Sequence, residues 1–131
     1  MMQFTVRTTR RTELIDITGQ VEKALREAGL KEGLCTVFVP HTTAAVTINE
    51  NADPSVPRDI LKILDSVIPF DSPEYRHSEG NSAAHIKSSL VGCSQSVLVE
   101  QGNLQLGVWQ GIFFAEFDGP RTRKVWVSFT G

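Results

Sequence analysis

The run CSQSVLVEQGNLQLGVWQGIFFAEFDGPRTRKVWVSF, residues 93–129, decides the fold class. It divides into CSQSVLVE, LQLGVW, QGIFFAEF and RKVWVSF, with QGN and DGP between them. Short runs rich in Val, Ile, Phe and Trp, bounded by Gly, Pro, Asn and Asp, read as strands joined by turns. Their close succession predicts an antiparallel meander.

Upstream the pattern mixes two periods. LCTVFV (34–39) reads as a buried strand broken by Pro40, and AAVTIN (44–49) alternates. MQFTVRTTRRTELIDIT (2–18) also alternates, which suits one strand or a hairpin bent near Arg10–Arg11. Helical spacing appears between these runs. Thr18 offers an N-cap, Val21, Ala24, Leu25 and Ala28 form a stripe, and Gly29 stops it. Asp53 before Pro54 opens a second helix with Val56, Ile60, Ile63, Leu64 and Val67 as its apolar side. PFDSPEYRHSEG (69–80) is too polar and proline-interrupted for regular structure. A short third helix is expected from near Asn81 to Gly92. With no repeat and no linker, residues 1–131 form one α+β domain.

Composition narrows the function classes. With 131 residues, 40% of them hydrophobic, the chain builds a modest core and gains from burying more surface on assembly. A net charge of −2 without a basic block argues against bulk nucleic-acid or anionic-membrane binding. No apolar run approaches membrane-spanning length. MMQFTVRTTRR (1–11) lacks the apolar stretch of an export signal, so a cytoplasmic protein is expected. Cys35 and Cys93, both in apolar surroundings, are then expected as buried, reduced thiols.

The chemistry gathers around the 3 histidines. His41 heads PHTTAAVTINENADP (40–54); His77 and His85 lie in YRHSEGNSAAHIKSS (75–89). On an extended chain, His41, Thr43, Ala45, Thr47 and Asn49 share one face, and Thr42, Ala44, Val46, Ile48 and Glu50 the core face. The first face is a stripe of hydrogen-bonding groups, or simply an exposed strand face where Thr is favoured. On a helix from Asn81, His85 and Ser88 turn away from Ala83, Ile86 and Leu90. The helix start beside His77 and Glu79 leaves orphan N–H donors that suit a phosphate or carboxylate; the plainer alternative is that Asn81 caps the helix. Three imidazoles with one open position would suit zinc, although no HxH or HxxxH spacing occurs. Ser88, Ser89 and Cys93 lack a nucleophile motif. Arg121 and Arg123, two apart near a DGP turn with Glu116 and Asp118, either grip an anion or form an ordinary charged hairpin end.

HTTAAVTINENADP, HSEGNSAAHIKSSL and LGVWQGIFFAEFDGPRTRKVWV, in that order, resemble the YjbQ-like family, the secondary thiamine-phosphate synthase proteins. The resemblance runs along essentially the whole chain. It implies mainly antiparallel sheets packed as a sandwich with about three helices, assembled as a homotrimer. It also implies weak thiamine-phosphate synthase activity, which joins a pyrimidine diphosphate to a thiazole phosphate. Carried onto this sequence, it makes His41, His77 and His85 metal or anion ligands and, with Glu116, candidate catalytic groups. Asn49, Glu50, Asn81, Lys87 and Arg121 become candidate substrate-binding residues; Thr43 of the strand face and Arg123 of the hairpin end join them, and zinc is the divalent metal that three imidazoles suit. Release of pyrophosphate demands groups that neutralise growing negative charge. No acidic pair of the kind that holds magnesium diphosphate stands out.

Overall fold

The structure, a computed structural model, describes residues 1–131. In chain order the elements are β1 (Met2–Arg7), β2 (Glu13–Asp16), α1 (Thr18–Ala28), β3 (Gly33–Phe38) and β4 (Ala44–Glu50). Then follow α2 (Ser55–Val67), α3 (Ser82–Val91), β5 (Ser94–Glu100), β6 (Asn103–Leu104), β7 (Gln110–Glu116) and β8 (Thr122–Thr130). The strands form a five-stranded sheet, β1-β8-β3-β5-β6, and a three-stranded sheet, β2-β7-β4. Every pairing is antiparallel. The α+β sandwich expected from the sequence is therefore present, with three helices.

Alternation explains the layers. Val37, Val97, Val125 and Val127 from the larger sheet meet Val46, Ile112 and Phe114 from the smaller one, closed at the side by Val21 and Leu25 of α1. The opposite face of the smaller sheet carries Ala45, Ala115 and Phe117 against Ala84 of α3, with Leu61 and Leu64 of α2 alongside. Small residues let α3 approach the sheet closely.

The C-terminal strands are not a meander. Only β5 and β6 form a hairpin; β7 crosses to the smaller sheet, and β8 returns between β1 and β3. The cause is burial on both faces. Residues 111–116, GIFFAE, are buried one after another, so β7 belongs at the centre of a sheet covered on both sides. β8 alternates between buried and accessible positions and suits a sheet covered on one side. The LQLGVW strand also shrinks to Asn103–Leu104, because a turn at Gly107–Gln110 occupies its second half.

Other local expectations change for equally physical reasons. β1 and β2 are not a hairpin: β1 pairs with β8 and β2 with β7, so the chain changes sheets between them. Thr18 does not cap α1; its hydroxyl donates to Asp16 Oδ1 at 2.6 Å and accepts the Ile112 N–H at 2.8 Å. Gly29 does end α1, in the left-handed region at φ 68°. On α3 the buried side is Ala83, Ala84, Lys87 and Ser88, whereas Ile86 and Leu90 are exposed. Ile63 and Val67 of α2 are exposed as well, and no residue of that helix is fully buried. Segment 69–80 is held by one contact within it and one to the β1–β2 connection: Tyr75 donates to the Pro69 carbonyl at 2.6 Å, and the Arg11 guanidinium stacks over Phe70 at 3.8 Å. No helix is long and apolar enough to cross a membrane.

Candidate anion-binding cavity

All three histidines line one cavity of about 770 Å3. His41 follows Pro40, where β3 has ended; His77 comes from the loop before α3, and His85 from the first turn of α3. The His77 and His85 rings meet edge to face, centroids 5.2 Å apart. His77 Nε2 also lies 3.9 Å from Glu79. His41 Nε2 accepts the Lys124 backbone N–H at 3.0 Å. Burial and then the nearby Arg123 charge hold the His41 pKa below its usual value, against an opposing pull from Glu116.

The remaining wall is built around the DGP turn. Arg121 reaches back to Asp118, donating from Nε to its carbonyl at 2.8 Å and from Nη2 to Oδ2 at 2.7 Å. The same carboxylate oxygen accepts Asn81 Nδ2 at 2.9 Å. Asn81 therefore does not cap α3 with its side chain, and that helix starts at the cavity wall with no acidic residue in its first turn. Asn81 Oδ1 and Ser88 Oγ are buried without a partner. Thr8 pins the base of the turn, accepting the Arg121 N–H at 2.7 Å. Gly119 is required there: a Cβ would lie 2.2 Å from the Arg10 carbonyl oxygen.

The YjbQ family profile, described as UPF0047 protein YjbQ-like, matches residues 2–131. The chain belongs to the YjbQ-like UPF0047 family. Among its relatives, UPF0047 protein YugU of Bacillus subtilis is 55% identical over 126 residues, 96% of each chain. UPF0047 protein MJ1081 of Methanocaldococcus jannaschii is 52% identical, covering all of this chain and 94% of the relative. The fold is shared with a crystal structure of an uncharacterized YjbQ/UPF0047 protein from Clostridium acetobutylicum. That chain is 54% identical, with TM-score 0.97 and coverage of 99% of this chain and 100% of that one. Hypothetical protein APE1520 of Aeropyrum pernix gives TM-score 0.94 at 41% identity, covering 99% and 97%.

In this YjbQ-like chain the cavity takes in only part of the expected residue set. His41, Thr43, His77, Asn81, His85, Arg121 and Arg123 line it; Asn49, Glu50, Lys87 and Glu116 do not. Asn49 and Glu50 end β4 at its pairing with Gly111 and Gln110, several residues along the strand from His41. Lys87 is buried between the helices, paired with Asp65 of α2. Glu116 is fully buried, where Arg123 grips it: Arg123 Nε donates to Oε1 at 2.9 Å, and Nη2 bonds Oε2. Arg123 also donates to Thr43 Oγ1 at 2.9 Å, so its guanidinium is a supporting wall and Arg121 the freer cation.

Asp118, visible in the sequence only as part of the charged DGP turn, organises this wall by holding both Asn81 and Arg121. Cys93 also lines the cavity and is exposed, contrary to expectation, whereas Cys35 is buried and its thiol is pushed up to about 11.

The zinc expectation does not fit this arrangement. No group of three His, Cys, Asp or Glu side chains converges to hold an ion. His41 has already committed Nε2 to a backbone donor. What the wall does offer is Arg121, imidazole N–H groups and a helix start, all suited to an oxyanion.

Proposed function

We propose that this chain is a small homotrimeric, cytoplasmic enzyme acting on phosphorylated molecules, with weak thiamine-phosphate synthase activity as its transferase reaction. The observation that carries the reading is the convergence of three histidines, Arg121 and the α3 start on one cavity. In that reaction the bond between the pyrimidine methylene carbon and the diphosphate oxygen breaks. Pyrophosphate leaves with the electron pair, and the thiazole nitrogen forms the new carbon–nitrogen bond. Arg121 and the helix start oppose the charge growing on the leaving group. The histidines add N–H donors. Incubating purified protein with both phosphorylated substrates and assaying thiamine phosphate tests this directly. Absence of product, together with no stabilisation by either ester, would remove the enzymatic reading.

One observation favours a second reading, a trimer that binds a phosphorylated metabolite without transforming it. Glu116, the catalytic candidate beyond the histidines, and Lys87, a substrate-binding candidate, are each sealed in an ion pair. In that case the esters raise the melting temperature while product never accumulates.

The trimer is supported by the outward apolar side chains of Ile63, Val67, Ile86 and Leu90 on α2 and α3, which a neighbouring copy would cover. Light scattering during gel filtration should return three times the chain mass. A monomer at micromolar concentration would overturn the assembly.

A further inference from the structure

We propose that His41 serves the cavity as a neutral Nδ1–H donor to the bound anion, its tautomer fixed by the Lys124 main chain. This rests on the anion-binding reading of the cavity and assigns one residue a defined part in it.

The reason lies in how the larger sheet ends. β3 and β8 are paired from Leu34–Thr130 to Phe38–Trp126. Pro40 follows, and the β3 ladder stops there. Lys124, two residues back along β8, finds His41 Nε2 in place of a strand carbonyl, at 3.0 Å. A peptide N–H cannot give up its hydrogen at any ordinary pH, so the nitrogen facing it must present a lone pair. In a neutral imidazole the hydrogen then sits on Nδ1. That nitrogen has no partner within the protein, and the ring lines the cavity.

The charged surroundings agree. Arg123 and Arg121 from the β8 side oppose a charge on His41, and Glu116 of β7 favours one; the balance, with burial, disfavours the imidazolium. His41 therefore supplies direction where Arg121 supplies charge. A donor held in one orientation distinguishes an oxyanion from a cation or a metal ion.

The test uses side chains that copy one ring nitrogen each. Asparagine carries its amide one bond beyond Cγ, where Nδ1 lies, and glutamine carries its amide at the reach of Nε2. With inorganic phosphate as probe, His41→Asn should bind within about threefold of wild type, whereas His41→Gln should bind roughly tenfold to a hundredfold more weakly. Glutamine can still accept the Lys124 N–H, so its loss would not reflect a broken fold. Nitrogen-15 NMR of the wild type should show a protonated Nδ1 and a bare Nε2, with phosphate moving the Nδ1 signal. A hydrogen on Nε2, or glutamine binding as tightly as wild type, overturns the donor role. Wild-type protein that ignores phosphate altogether overturns the cavity reading on which the role depends.

Discussion

Arg123→Ala should destabilise the fold by about 3–5 kcal/mol, the range for breaking one side of a buried ion pair. Arg123 and Glu116 have only 4% and 0% of their side-chain surface exposed. Removing the guanidinium leaves a carboxylate sealed in the sandwich with only Thr8 and the Asp118 N–H for partners. The double variant Glu116→Leu with Arg123→Met should be far less damaged than the single one, because no uncompensated charge remains. Urea unfolding measures both; equal losses would show that shape rather than charge dominates the site.

The same pair sets a pH dependence. Burial alone would raise the Glu116 pKa, but the hydrogen bonds from Arg123, Asp118 and Thr8 outweigh it and hold the carboxyl below its usual value. A carboxyl depressed in the folded state contributes stability that is present above its unfolded pKa and lost as pH falls through the folded one. The double variant Glu116→Leu with Arg123→Met removes that carboxyl and should therefore flatten the acid side of the stability curve.

Arg121→Ala should weaken phosphate binding by roughly tenfold to a hundredfold, the scale of losing one or two hydrogen bonds to a charged group. The melting-temperature rise caused by phosphate should shrink accordingly, since that rise follows ligand occupancy. Unliganded stability should change by no more than about 1 kcal/mol, because half-exposed ion pairs contribute little; the Arg121 side chain is 51% exposed. Arg121→Lys keeps the charge without the fork and should fall between the two. If the alanine variant responds to phosphate as wild type does, the anion is held elsewhere.

Local signals in the sequence located most helix ends. Gly29 closes α1 and Gly92 closes α3 at the expected places. Strand partnership was not legible, because period-2 alternation tells which face is buried and not which strand lies alongside. The buried side of α3 was misread for a different reason. That helix packs on an alanine floor formed by Ala45 and Ala115, where close approach favours small side chains and leaves Ile86 and Leu90 outside. Among the candidate site residues, those beside the turns and helix starts came together. Lys87 and Glu116 did not, because a charged residue near a site and one sealed into a structural pair look alike in sequence.

The position of β8 bears on how the molecule is made. It is the last element in chain order, yet it lies between β1 and β3. Until residues 122–130 leave the ribosome, β1 has no partner strand and β3 has one bare edge. Long-range strand pairing of this kind closes slowly, and unpaired edges in partly folded chains invite aggregation. The wall that carries Arg121 is anchored by Thr8 from the opposite end of the chain. The cavity therefore waits on β8: a nascent chain stalled before residue 122 would have its histidines but nowhere to assemble them.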